Sequence, residues 1–288
     1  LGVSASQEHL RYLARAGHVD APDLVLETAS ALSGLVLDPA SVVVTTRRIV
    51  ERHPLCGPLW WLCAHVVTAS EPYEVLRDCV DEVHDDRTAE HLAAEITEGA
   101  MVCVDGWSFD VAHALAIAGA TSGLEVCVVD GDNGADHMIR VLERLEIRAH
   151  LVNASHGAIA AANADAVLLS AYATGSMSAW CSAGSLALAS AAYCAEKPVL
   201  LSASVGARLP DVLFAGIVQD LDRQISQRRE VRAWHRQASE VPFGLCKAIV
   251  GSDGVHDVAA LPAHGNRHSA HLQLNSSRDQ QFKIVKSN

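Results

Sequence analysis

Aromatic residues are scarce in this chain: four Phe, four Tyr and five Trp amount to 5% of 288 residues. With so few large rings, small aliphatic side chains must fill the interior, which suits helices packed closely on a buried sheet. Long apolar runs are missing too. None reaches the ~20 residues that a bilayer span needs, and residues 1–20 lack the continuous apolar core of a signal peptide. The expectation is a cytoplasmic protein with no membrane contact. No CxxC pair occurs among the eight cysteines (56, 63, 79, 103, 127, 181, 194 and 246). Several lie inside apolar runs such as "MVCVD" and "EVCVVD", where Cys behaves as a small buried hydrophobe, so free thiols are expected rather than disulfides.

Positive charge is in short supply. Lys and Arg number 22 against 34 Asp and Glu, a formal net charge of −12, and residues 100–199 hold only four bases against ten acids. An acidic body repels phosphate backbones, which argues against direct nucleic-acid binding. Only residues 200–288 reverse the balance, with 11 bases against 8 acids. The basic stretch "RQISQRREVRAWHR" (223–236) reads as a solvated helix face, with an acidic partner or subunit as the alternative. Neither a G-x-G-x-x-G nor a Walker A sequence is present, so the specific nucleotide signals are missing.

What the chain does have is a globular composition, 50% hydrophobic and 19% charged. Residues 1–98 read as helices only. "SQEHLRYLARAG" opens on a capping-box start at Ser6, and "APDLVLETASALSGLVL" carries Pro22 in its first turn. "DPASVVVTTRRIVERHP" begins with an Asp38-Pro39 cap and stops before Pro54; "GPLWWLCAHVVTAS" and "EPYEVLRDCVDEVHDD" complete a small helical domain. From Gly99 to about 260 the pattern changes. Short β-rich runs at 100–104, 125–129, 148–152, 165–169 and 198–202 alternate with helical segments. Runs apolar on both faces, separated by helices, indicate a parallel sheet covered on both sides, and right-handed crossovers make it a Rossmann-like, doubly wound α/β domain. The polar residues 261–288 lack lasting periodicity and are expected to form a mobile tail.

In such a sheet, ligands sit beyond the carboxyl ends of the strands. That rule nominates Asp105 and Ser108 after the first strand, Asp130, Asp132 and Asn133 after the second, and Asn153, Ser155 and His156 after the third. Ser170, Tyr172 and Thr174 follow the fourth, and Ser202 and Ser204 the fifth. The rim is polar and holds no Lys or Arg. Its carboxylates Asp105, Asp130 and Asp132 would repel a phosphate unless a divalent cation bridged them; otherwise they cap helices and close turns. His53, Cys56, Cys63 and His65 are zinc-type residues, but their spacing matches no common site, and Cys63 and His65 diverge on a helix. The adjacent Trp60 and Trp61 read as anchors of the helical layer or of an interface. Cys103 inside a strand, and Cys181 without a base nearby in sequence, have no evident activation.

Residues 99–258 resemble the translation initiation factor 2B alpha/beta/delta family, which includes methylthioribose-1-phosphate and ribose-1,5-bisphosphate isomerases. The resemblance rests on the order of elements and on three stretches: "MVCVDGWSFDVAHAL", "ADAVLLSAYATGSMSAWCSAGSLALASAAYCAEKPVLL" and "VPFGLCKAIVGSDGV" (241–255). It implies an N-terminal helical domain before a Rossmann-like one. The isomerases' catalytic groups do not carry over. Their Asp in "GAD" is matched by Ser170-Ala171-Tyr172, and their Cys after the first strand by Asp105 or Gly106. Their "E-T/S-R-P", whose Arg serves sugar-phosphate binding, is replaced by Asp130-Gly131-Asp132-Asn133, and the "Asn-Lys" before the helix by Cys181-Ser182 before Gly184-Ser185. A Tyr hydroxyl cannot replace a carboxylate as a proton carrier near neutral pH without a large pKa shift.

The leading expectation is thus an initiation factor 2B-like regulatory or binding protein without isomerase catalysis and without a cofactor. It would bind a small metabolite, a sugar phosphate or nucleotide among them, or a protein partner. A homodimer or homo-oligomer formed through the Rossmann-like half is expected. One alternative is an enzyme: a diverged aldose–ketose sugar-phosphate isomerase, or a metal-assisted one using Asp105, Asp130 and Asp132. Another is a structural assembly subunit with a vestigial crevice. Asp105 and Tyr172 are the candidate catalytic residues. Asp105, Ser108, Asp130, Asp132, Asn153, Ser170, Tyr172, Gly184, Ser185 and Ser204 are the candidate crevice.

Overall fold

A computed structural model describes residues 20–119, 123–131, 133–226, 234 and 236–258. The helix expected around Ser6, Asp132, most of the basic stretch and the tail from 261 lie outside these residues. Four helices come first: α1 (Ala21–Ser33), α2 (Pro39–Arg52), α3 (Gly57–Thr68) and α4 (Pro72–His84). Each has a proline in its first turn, where the missing N–H costs nothing and the fixed φ suits a helix start. The Asp38 carboxylate caps α2, accepting from the Ala40 and Ser41 amides at 3.2 Å each. Uncharged α3 is the centre of the layer: Leu59, Trp60, Leu62 and Cys63 are buried, and the Trp60 indole donates to the Pro54 carbonyl at 3.1 Å.

The second half is a nine-stranded sheet in the order β3-β2-β1-β4-β6-β8-β9, with β5 and β7 branching from β4. The strands are β1 (Met101–Asp105), β2 (Glu125–Asp130), β3 (Arg148–Asn153), β4 (Ala166–Thr174), β5 (Ser178–Ser182), β6 (Val199–Ser202), β7 (Ala238–Pro242), β8 (Ala248–Gly251) and β9 (Gly254–Asp257). From β3 to β8 the neighbours are parallel, and β9 closes the edge antiparallel to β8. Helices α5 (Thr88–Ala94), α6 (Phe109–Gly119) and α7 (Ala135–Arg144) cover one face, packing on Val102, Val104, Val126 and Val128. Helices α8 (Gly157–Asn163) and α9 (Ser185–Cys194) lie on the other, against Val129, Val167 and Leu169. The fold is therefore α/β, a doubly wound parallel sheet behind an N-terminal helical layer. The long helix α10 (Asp211–Ser226) returns to that layer, adding Leu213, Ile217 and Leu221 to its core.

All five expected strands are present, and the fourth is longer than its apolar run at 165–169. It runs on past the sheet to Thr174 and folds back as β5, which pairs antiparallel with both β4 and β7. "SAWCS" and "ASEVP" are short and lack strict alternation, so their strand state is imposed by tertiary pairing.

Candidate functional site

The strand order reverses between β1 and β4, so the crevice of this sheet opens at Asp105, which ends β1, and Ser170 on β4. The β4–β5 arm walls one side. A bulge lies there: Ala171 pairs with Cys181 and Ala173 with Trp180, which leaves Tyr172 as the extra residue. Ala171 faces the core under α9, whereas Tyr172 and Ala173 both turn toward the helical layer. The bulge thus aims Tyr172 into the seam between the two halves, where its carbonyl lies against Gly57 of α3.

Asp105 is the hub of the crevice. One carboxylate oxygen accepts from the Ser182 hydroxyl and from the Ser185 hydroxyl at 2.8 Å; the other accepts from the Asn133 amide at 2.9 Å. The two serines also bond each other at 3.0 Å, and Asn133 reaches the Asp105 carbonyl at 3.1 Å. Close packing enforces the arrangement. A Cβ on Gly184 would stand 3.0 Å from both Asp105 carboxylate oxygens, and one on Gly106 would overlap the Asn133 amide. Gly106 also has φ +63°, which only glycine adopts freely. At the start of α9 Asp105 accepts from the Ser182 and Ser185 hydroxyls, while the Leu186 amide donates to the Ser239 hydroxyl at 3.2 Å.

Of the sequence-nominated residues, Asp105, Gly184 and Ser185 meet directly, and Tyr172 lies close enough to feel the Asp105 charge. Ser108 instead starts α6, its hydroxyl 3.4 Å from the Val111 amide. The Asn153 side chain accepts from the Ser155 amide and hydroxyl at 2.9 and 2.7 Å, closing the turn before α8. Asp130 is exposed at the end of β2, and Ser170 pairs in register with Ser202. Ser204 belongs to a second acidic group that the sequence did not point to. Its centre is Asp110 in the first turn of α6, bonded to Ser202 at 3.4 Å and to Ser204, with the charges of Asp86 and Asp20 nearby. Asp86 accepts from the Val205 amide at 2.8 Å, and Asp20 from the Trp107 indole at 2.8 Å. Trp107 also stands edge-on to His137 at 4.2 Å, lying across the β1 and β2 loops. An Asp at a helix start looks like ordinary dipole compensation, so "SFDVAHAL" carries no signal of it.

The ionisable groups divide sharply. Burial pushes the Tyr172 hydroxyl up to about 12, with Asp105 and Cys181 adding to it. Burial likewise raises the Cys103 thiol to about 12 and holds Cys181 well above its ordinary range. Asp110 is raised to about 6, chiefly by burial and then by repulsion from Asp86, against hydrogen bonds from Ser204 and Ser202 that lower it. No group of three or more His, Cys, Asp or Glu side chains among the described residues is placed to hold a metal ion. No described helix is long and apolar enough to cross a membrane.

No family model matches this sequence, and no curated protein does. Solved structures do. The chain is similar to the translation initiation factor eIF-2B of Pyrococcus horikoshii OT3, with a TM-score of 0.71 and 16% identity over 88% of this chain and 97% of that one. It is similar to a chain of the tetrameric eIF2B-beta2-delta2 complex from C. thermophilum (TM-score 0.70, 14% identity, 91% of this chain, 93% of that one). It is also similar to eIF-2B subunit delta from A. fulgidus (TM-score 0.59, 12% identity, 87% of each chain). The protein has the fold of the eIF2B subunits.

Proposed function

We propose that this chain is a diverged eIF2B-like regulatory or binding subunit that has lost isomerase chemistry and acts by holding a small metabolite or a protein partner. The observation that carries the reading is the fate of Asp105. At the switch point, its carboxylate is held through both oxygens by Ser182, Ser185 and Asn133, so most of its acceptor capacity serves the structure of the crevice. Tyr172, at the position of the isomerases' acid, stays protonated until about 12. A relative of the same fold is described as a tetrameric complex, and assembly into an oligomer is part of the proposal.

A second reading, a surviving isomerase, is favoured by Asp110 alone. A carboxyl group titrating near 6 is suited to move protons at neutral pH. One experiment separates the two. The full chain is incubated with methylthioribose-1-phosphate and ribose-1,5-bisphosphate, product is followed by NMR, and thermal midpoints are measured with each sugar phosphate, its unphosphorylated sugar and nucleotides. The expected result is no isomerised product. Turnover that disappears in Asp110→Asn would overturn the non-catalytic reading. A midpoint raised by one of these compounds, without product, identifies the metabolite class; no rise with any of them leaves the protein partner as the occupant.

A further inference from the structure

Cys103 of β1 and Cys127 of β2 are direct partners in the parallel register of their strands. Both side chains share the face that carries α8 and α9, Cys103 within its core and Cys127 packed against it. Neighbouring strands lie about 4.8 Å apart, and a disulfide spans Cα atoms about 4.4–6.8 Å apart. Two thiols that point the same way from adjacent strands need only lean together to meet. Cys103 is fully buried, whereas Cys127 is partly exposed. The cover above Cys127 is short: Gly157 seats the start of α8 on Val129, two residues further along β2, and the helix ends after seven residues.

A base stands beside the accessible thiol. His150 is the residue that β3 sets opposite Cys127, and its side chain is 51% exposed. Its Nε2 lies 2.6 Å from Glu125 Oε1, and Arg148 lies 3.8 Å from Glu125 Oε2. A carboxylate only accepts, so this bond puts the proton of the neutral ring on Nε2 and leaves Nδ1 with its lone pair. Cys127 needs such a neighbour. Burial first, and the Glu125 charge second, raise its thiol above the ordinary range, while the reactive form of cysteine is the thiolate. The proton must therefore be taken as the sulfur reacts. Only the pairing of β2 with β3 brings the two groups together, so the sequence gives no sign of them.

We propose that Cys127 and Cys103 form a redox-active pair, oxidised to a disulfide by hydrogen peroxide, with His150 as the base. In the first step the Cys127 sulfur attacks one peroxide oxygen. An S–O bond forms, the O–O bond breaks, and the proton that His150 took from the thiol leaves with the other oxygen as water. In the second step the Cys103 sulfur attacks the sulfenic sulfur of Cys127. The S–S bond forms, the S–O bond breaks, and a second water carries away the Cys103 proton. The two thiols give up two electrons and two protons, and the peroxide is reduced to two waters. The pair works independently of what the crevice binds.

The test uses the full chain carrying Cys194→Ser, which removes the exposed solitary thiol and leaves seven of the eight cysteines. The folded protein is treated with hydrogen peroxide and unfolded, its remaining thiols are alkylated and counted by intact mass, and its peptides are mapped. Two thiols should become unavailable, linked as Cys103–Cys127, and dithiothreitol should restore both. In Cys103→Ala the reaction should stop at a Cys127 sulfenic acid that dimedone captures. His150→Gln keeps a donor to Glu125 but has no basic nitrogen, and should slow the oxidation of Cys127 by about a hundredfold with an unchanged circular dichroism spectrum. Seven thiols still alkylated after peroxide would overturn the assignment, as would a disulfide between other cysteines or a wild-type rate in His150→Gln. The thiol count on the parent chain decides the matter even if Cys103→Ala fails to fold.

Discussion

Replacing Asp105 by Ala asks whether that carboxylate is held for chemistry or for structure. In the native crevice it accepts from Ser182, Ser185 and Asn133. The serines are only 8% and 1% exposed, so water cannot readily take over. The substitution does not orphan all three donors. The serine hydroxyls still bond each other, and Asn133 keeps the main-chain carbonyl of residue 105. What is lost is one buried hydroxyl left without an acceptor and two further bonds to a charged group, for a net cost of about 3 kcal/mol. Asp105→Asn retains one acceptor and should cost about 1 kcal/mol. Gly184→Ala probes the same contact from the other side, because its Cβ would press on both carboxylate oxygens at 3.0 Å; it should fall between the two. Urea unfolding followed by tryptophan fluorescence reads all three. Residues kept for catalysis commonly lower stability, so their removal is neutral or stabilising. An Asp105→Ala protein as stable as wild type, or more so, would therefore refute the structural role and return Asp105 to the catalytic candidates.

Two further outcomes are expected. Asp110 is raised to about 6 by burial first and by Asp86 second. The folded chain thus keeps a proton between about pH 4 and 6 that the unfolded chain has released, so this stabilising contribution is present at low pH and lost as pH rises through about 6. Relative to wild type, Asp110→Asn should gain about 2 kcal/mol between pH 4 and pH 7, measured as the difference in unfolding midpoint; an identical difference at both pH values would count against the burial of that carboxyl. Gly206 sits in the seam between the halves with φ +78°, and a Cβ there would lie 2.9 Å from both Pro58 and the Trp61 ring. Gly206→Ala should cost about 2–4 kcal/mol from backbone strain and overpacking, with a thermal midpoint near wild type as the contrary result.

Much of the sheet was legible because its central strands are apolar on both faces and bounded by turn residues. "MVCV", "VCVV" and "AVLL" can hardly be anything else once helices separate them. The Asp38-Pro39 cap likewise placed the start of α2 from two residues. The arm was not legible, for a physical reason. β5 is held by antiparallel pairing with β4 and with β7, partners about sixty residues apart in the case of Trp180 and Glu240, and no local periodicity encodes such a pairing. The bulge at Tyr172 follows from the same cause. Sequence can place Tyr172 after a strand, but only the offset between Ala171 and Ala173 turns it toward the helical layer. Asp110 escaped notice because its unusual setting comes from Asp86, Ser202 and Ser204, none of them near it in sequence.

These features bear together on what the crevice can accept. A phosphate approaching the start of α9 would find hydroxyls of the right kind, but also the Asp105 carboxylate already bonded to them. To bind there, the anion must displace Asp105 or lie beside it, and no Lys or Arg among the crevice residues compensates. Asp110, Asp86 and Asp20 extend the negative field toward the seam. Two like charges ~4 Å apart repel by several kcal/mol at the dielectric of a partly buried site. A neutral or cationic group meets no such penalty. In the thermal-shift series, an unphosphorylated sugar or nucleoside should therefore stabilise the chain more than its phosphate, and in Asp105→Asn that order should narrow or reverse. A phosphate ester that outranks its parent sugar on the wild-type chain would show that the α9 start still functions as an anion site and that Asp105 yields to it.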